Sequence, residues 1–262
     1  MADWTEMLSK IASASQVHDS LRREYVKDLA DYTDRNVIVY YSGWLQKPNL
    51  RGIPDFSISD QDMTGFMTAC SGIDKEKGLD IILHTPGGDV AATESIINYL
   101  REIFGTNIRA IVPQMSMSGG TLIALSSKII VMGNHSSLGP VDPQIGGRPA
   151  QGFLEEFQRA WDELQKEPNK IVVWRPILQQ LPPTLLTSCQ HAVKWSEEIL
   201  DKNLSDCMFA RKKNKKALIA KVKDIFGNQK HSRHHSRHIN IVEVRKCGLN
   251  VDSLGVCKKI CV

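Results

Sequence analysis

Apolar residues recur at three- and four-residue spacing through residues 3–34, with Trp4, Leu8 and Ile11 followed by Val17, Leu21, Tyr25 and Leu29. That period predicts one or two amphipathic helices. Val37 to Tyr41 is a short apolar run stopped by Ser42-Gly43, which predicts a strand, and two prolines and a glycine make 46–54 a loop. Ser59 followed by Asp62 resembles an N-cap box and opens a helix to about Cys70. A regular alternation then begins. Leu79–His84 reads as a buried strand, and Asp89–Phe104 as a helix with Ala92, Ile96, Leu100 and Phe104 on one stripe. Ile108–Pro113 is a strand, Ser118–Ser126 a short helix and Lys128–Met132 another strand. Strands and helices alternating at this pace predict an α/β fold, its parallel sheet built from β-α-β units with right-handed crossovers. Beyond the loop Gly133–Pro149 the pattern turns helical, over Gln151–Lys166, Trp174–Leu181, Pro183–Lys194, Ser196–Ala210 and Lys212–Gly227. A histidine-rich strip, His231 to His238, precedes a last short helix, Ile239–Cys247. The expected organisation is an N-terminal helical segment (1–34), an α/β domain (35–210) and a basic, His-rich C-terminal extension (211–262).

Composition narrows the classes. The chain has 262 residues, 42% hydrophobic and 24% charged, enough for one substantial core. No apolar run approaches the ~20 residues of a membrane span. The first residues, Met-Ala-Asp-Trp-Thr-Glu, lack the basic head and apolar run of a signal peptide. Six scattered cysteines favour reduced thiols, so a cytoplasmic protein is expected. The net charge of +4 hides an asymmetry, because the stretch from Asn203 onward carries 14 Lys+Arg against 4 Asp+Glu. Such a tail can contact nucleic acid or acidic partners; a solvated or intersubunit helical surface is the commoner outcome and is favoured over nucleic acid here.

Candidate chemistry concentrates at two strand-to-helix turns, Leu83-His-Thr-Pro-Gly-Gly88 and Met115-Ser-Met-Ser-Gly-Gly-Thr121. Acyl transfer at a serine needs an activated hydroxyl and backbone N–H groups aimed at the developing oxyanion. Ser118 begins a helix directly after a strand, so its hydroxyl projects from a tight turn near the positive end of a helix dipole. It is the expected nucleophile, with the Gly119 N–H as one oxyanion donor; Ser116 is the lesser candidate. A plain N-cap serine is the structural alternative. His84, at a strand end, reads as a hydrogen-bonded turn histidine. The cluster His231, His234, His235 and His238, with Cys247, Cys257 or Cys261, is a conceivable zinc set, but no Cys-x-x-Cys accompanies it and Arg233 and Arg237 would repel a cation, so no metal is expected. Phosphate or nucleic-acid contact, or a subunit contact, are the other readings of that strip. No cofactor is expected, and with no Walker-type loop, any ATP-driven unfolding would come from a partner.

Pro86-Gly87-Gly88, Met117-Ser118-Gly119-Gly120 and Ile130-Val-Met-Gly-Asn-His-Ser-Ser-Leu-Gly-Pro-Val-Asp-Pro-Gln144 together resemble the serine dehydrogenase proteinase family, within the wider ClpP and signal-peptide peptidase A group. The resemblance covers roughly residues 35 to 260, and Leu138–Gln144 is its most specific part. It implies a ClpP/crotonase-like fold, a peptide or protein substrate, and self-assembly into a homo-oligomer. It implies that Gly87 and Gly88 supply the other oxyanion donor.

For the general base the resemblance offers two places. In signal-peptide peptidases a lysine lies about fifty residues beyond the serine, which corresponds to Lys170, ahead of the apolar Ile171-Val172-Val173-Trp174; desolvation there would depress its pKa. A Ser118–Lys170 dyad is therefore the expected catalytic pair, with Lys166 in reserve. ClpP proper uses a histidine after the next strand, a place taken by His135 with Asp142 as orienting carboxylate. The flanking residues do not match that histidine motif, so His135 and Asp142 are expected in the substrate groove or in a structural role. Two other classes stay open: an α/β-hydrolase esterase using Ser118, Asp162 and His191, and a catalytically idle scaffold acting through its basic tail.

Overall fold

The structure, a computed structural model, describes residues 17–45, 56–227 and 235–254. Trp4, Leu8 and Ile11 of the first expected helix, and His231, His234, Cys257 and Cys261, lie outside the described residues. Among the described residues, β1 (Asn36–Tyr41), β2 (Leu79–His84), β3 (Ile108–Val112), β5 (Ile129–Met132) and β10 (Val251–Ser253) form a sheet in that order, every pairing parallel. The mixed α/β architecture with a parallel central sheet agrees with the ClpP-like fold that the resemblance implies.

Local chemistry sets the elements. Helix α1 (Val17–Thr33) covers β1. Helix α2 (Gln61–Ala69) starts where the Asp62 carboxylate accepts from the Ser59 N–H at 2.8 Å. Helix α3 (Val90–Phe104) is capped by Asp89, whose side chain accepts from Ala92 N at 2.8 Å, and it buries Ala92, Ile96, Leu100 and Phe104. On β2, Asp80 is 0% exposed and lies between Arg35 (Nε–Oδ1 2.6 Å) and Arg109. Removing this carboxylate strands two partly buried guanidinium groups. Asp80→Ala is expected to cost about 2–3 kcal/mol in urea unfolding, less than for a wholly enclosed pair because both cations reach solvent. A loss below about 0.5 kcal/mol would show that the pair is neutral to stability.

The segment after residue 210 does not stand apart. Its Ile219, Val222, Phe226, Ile239, Val244 and Leu249 are buried in the same core as Ile81, Leu83 and Ile130 of the sheet, and β10 pairs with the edge of β5. Its elements also differ from the expected ones. Helix α8 (Lys215–Val222) runs into a π-turn at Lys223–Gly227. In place of a helix from Ile239, β9 (Ile239–Asn240) pairs antiparallel with β6 (Ser137–Leu138). Asn240 then forms a capping box with Glu243 and opens α9 (Ile241–Lys246). After β6 comes a small hairpin, β7 (Gln144–Ile145) against β8 (Arg148–Pro149), within what the sequence presents as a loop. It leads into a helical arm of α5 (Ala150–Lys166), α6 (Ile171–Leu178) and α7 (Leu185–Asp206). Helix α7 runs unbroken through residues 194–196, where two helices were expected, because no Gly or Pro interrupts it.

Candidate active site

The strand β4 (Met115–Ser116) and helix α4 (Gly119–Leu125) meet at Ser118, which holds φ +47° and ψ −114°. A non-glycine residue at positive φ is strained. The strain lifts the hydroxyl out of the cap position, for Ser118 makes no side-chain capping bond. Gly87, at φ +94°, passes so close that a Cβ there would lie 2.6 Å from Ser118 Cβ and from the Met117 carbonyl oxygen. Thr85 Oγ1 accepts from the Gly87 N–H at 3.1 Å, and the Gly87 carbonyl and Asp89 N–H both pair with Ile58 at 2.8 Å. That fixes the Pro86–Asp89 loop. Neither the Gly88 nor the Gly119 N–H donates to a described group, and Gly88 N lies 3.5 Å from where a Gly119 side chain would begin. Two free backbone donors thus flank the serine.

In the same cleft, Asp142 is 2% exposed and both of its oxygens are occupied. Oδ1 lies 2.9 Å from His235 Nδ1, and Oδ2 accepts from Gln144 Nε2 at 2.7 Å. The Gly139–Gln144 segment is tied to the serine turn, because the Gly139 N–H bonds Thr121 Oγ1 at 3.0 Å and that hydroxyl donates to the Ser116 carbonyl at 2.7 Å. Val141 is held from outside by the Phe226 carbonyl and by Ser196 Oγ. His235 is placed by the β9–β6 pairing, by His238 Nδ1 at 2.8 Å from Ser137 Oγ, and by the Arg237–Glu243 ion pair. Ser118, Gly87, Gly88, Asp142, Gln144 and His235 all line one cleft of about 470 Å³.

The family model for ClpP-like SDH-type serine proteinases matches residues 9–260. The chain belongs to this family of serine proteinases. Two curated relatives in Methanocaldococcus jannaschii, the uncharacterized proteins MJ0137 and MJ1495, are 40% and 38% identical over 111 and 117 residues. Those stretches are 42% and 44% of this chain, and they span about two fifths of the length of each relative (38% and 40%).

Set within this serine-proteinase frame, the sequence-derived candidates separate. Ser118, Gly87 and Gly88 share the cleft, and Gly119 adjoins it through its backbone. Lys170 does not line it. Its ammonium sits 3.1 Å from Glu167 and 3.6 Å from Glu163, and the hydrogen bond to Glu167 raises its pKa, the opposite of what a base needs. It borders a separate apolar cavity of about 500 Å³ with Phe153, Trp174 and Leu181. Lys166 is exposed at the end of α5. His135 is exposed in a turn, its Cε1 lying 3.0 Å from where a Cβ on Gly133 would be. Ser116 is wholly buried, its hydroxyl without a partner among the described residues. His84 is buried between Tyr41 and Trp44 (ring centroids 5.0 and 4.6 Å), and burial lowers its pKa so the ring is neutral. Asp162 and His191 are exposed on α5 and α7 and do not line the cleft. Cys70, Cys189 and Cys207 are buried with raised pKa, and burial pushes the Cys247 thiol up to about 11, so none is poised as a nucleophile. Among the described residues no group of three or more His, Cys, Asp or Glu is placed to hold a metal.

His235 is the cleft residue that the sequence named only within the histidine strip, as a conceivable metal ligand or contact residue, with no catalytic role. Its signal was faint: one histidine of a strip, followed by the short Ile239-Asn240 run that becomes β9.

Proposed function

We propose that Ser118, His235 and Asp142 act as the triad of a serine endopeptidase that cleaves peptide bonds in peptide or protein substrates. One observation carries the reading: a histidine bonded through Nδ1 to a buried carboxylate, in the same cleft as a strained serine and two unused backbone N–H groups. With Nδ1 engaged, Nε2 is the nitrogen left to work on Ser118. It takes the hydroxyl proton as Oγ attacks the scissile carbonyl, and it hands that proton to the leaving amine as the C–N bond breaks. Water then attacks the acyl-serine by the same route. Gly88 and Gly119 N–H bond the oxyanion at both tetrahedral stages, and Asp142 stabilises the imidazolium that forms each time.

A fluorophosphonate probe tests this directly. The folded protein is expected to label at Ser118, and Ser118→Ala to abolish labelling and peptide turnover; absence of labelling on folded protein would sink the reading and leave the scaffold alternative.

The arm supports a homo-oligomer. Trp161, Val172, Val173 and Ile177 are 63%, 77%, 64% and 49% exposed on adjoining helices α5 and α6, which is more apolar surface than one arm needs to leave in water. Sedimentation is expected to give a mass above one chain, and a strict monomer at micromolar concentration would overturn this. Among the described residues no helix is long and apolar enough to cross a membrane. The free thiols Cys70, Cys189, Cys207 and Cys247 support a reducing, cytoplasmic setting.

A further inference from the structure

Among the described basic residues of the C-terminal part, two groups stand apart from the ion-paired Lys223. His235 and Arg237 belong to the cleft and its support. Arg211, Lys212, Lys213, Lys215 and Lys216 instead gather in the turn that opens α8, all exposed except the half-buried Lys215. Lys128 joins them: Asn250 Nδ2 donates to the Lys128 carbonyl at 3.3 Å and to the Met208 carbonyl at 3.5 Å, which ties it to the same turn. Exposed Lys221, Arg245 and Lys246 adjoin on α8 and α9, where Leu218 reaches within 2.6 Å of where a Cβ on Gly248 would begin. None of these nine cations forms an ion pair with a described residue, whereas Lys77, Arg159, Lys170, Lys194 and Lys223 elsewhere all do.

The placement is costly by itself. Lys215 and Lys216 sit in the first turn of α8, where the helix dipole is positive and acidic residues are favoured. No described carboxylate offsets that repulsion by pairing with them. The pole is also remote from the cleft. Lys128 and Asn250 precede β5 and β10, so Lys128 and the turn that Asn250 ties to it lie at the N-terminal ends of these parallel strands, while Gly87 and Ser118 follow the C-terminal ends of β2 and β4.

We propose that this pole is a docking surface for the phosphate backbone of double-stranded nucleic acid, bound without regard to sequence and independently of the catalytic cleft. The chemistry selects this partner over others. Among the described residues the exposed large apolar side chains lie elsewhere, apart from Val242, so what is described of the pole offers neither the apolar anchors of a membrane-inserting face nor the aromatic centre of a protein interface. It presents, among the described residues, no aromatic ring on which unpaired bases would stack. Cations alone suit a duplex read through its phosphates.

Fluorescence anisotropy of the full chain with a labelled random-sequence duplex of about 30 base pairs, across a KCl series, tests this. Binding is expected with a log–log salt slope of about −3 to −6. Lys212→Gln/Lys213→Gln/Lys216→Gln is expected to weaken it at least ~10-fold at low salt and to flatten the slope by about 2–3. Arg245→Gln/Lys246→Gln on the second element is expected to weaken it as well, with fluorophosphonate labelling of Ser118 unchanged in both variants. No anisotropy change at low salt, or unchanged affinity in folded variants, would overturn the proposal. Tighter binding to single strands, to phosphatidylserine vesicles or to polyglutamate than to the duplex would overturn it in favour of that partner.

Discussion

His235→Ala is expected to lower kcat/KM on a peptide substrate by roughly 10³–10⁵, while Lys170→Ala leaves it within about threefold. The difference follows from what each side chain can do at the start of turnover. A base has to accept the Ser118 proton, so it needs a free lone pair within the cleft. His235 Nδ1 is committed to Asp142 and Nε2 is the remaining nitrogen, on a ring that lines the cavity holding Ser118. The Lys170 amine keeps its proton, because two carboxylates hold the ammonium and raise its pKa, and it lines another cavity. Ser118 Oγ and His235 line the same cleft without a direct hydrogen bond, and the bond between a serine and its base often tightens only when substrate is bound. A loss in Lys170→Ala with His235→Ala left active would restore the serine–lysine dyad and remove His235 from the chemistry, and comparable losses in both would refute the claim that Lys170 plays no part.

That contrast also shows what the sequence made legible. Periodicity and caps reported the strand–helix alternation from Leu79 to Met132 closely, because each element there is specified by its own residues: the Asp89 cap, the Ala92–Phe104 stripe, the glycines at 87 and 105. The Ser118 turn was legible for the same reason. Lys170 misled because apolar neighbours in sequence are not apolar surroundings. Val172 and Val173, whose presence implied desolvation, are 77% and 64% exposed, and the lysine faces Glu163 and Glu167. His235 stayed hidden because its position depends on β9 reaching β6 across about a hundred residues of chain. Two-residue strands such as β4, β6 and β9 leave no periodic trace, and β10, reading Val-Asp-Ser, becomes a strand only through the open edge of β5. The basic segment looked separable for a related reason: its buried Ile219, Val222, Phe226 and Val244 are interspersed with charged residues, so its contribution to the core does not register as a hydrophobic block.

Asp142→Asn is expected to reduce kcat by roughly 10⁴ with little change in KM or fold, the scale set by losing the orienting carboxylate of a triad. Two consequences of the change act together. The negative charge that stabilises the imidazolium disappears, in a site where Asp142 is 2% exposed and water screens little. The amide also has to choose an orientation. Gln144 Nε2 donates to the Oδ2 position, so the asparagine oxygen is favoured there and its NH₂ is directed at His235 Nδ1. An amide donor facing Nδ1 selects the tautomer with the proton on Nε2, which cannot accept a proton from Ser118. Gln144→Leu in the Asp142→Asn background removes the competing donor and frees the amide oxygen to turn toward His235. Partial recovery of kcat in the double variant would identify the tautomer as the larger part of the loss, and no recovery would assign it to the missing charge. Retention of more than about a tenth of activity in Asp142→Asn itself, with the protein folded, would mean that the carboxylate only supports the loop and that the triad assignment fails at its third member.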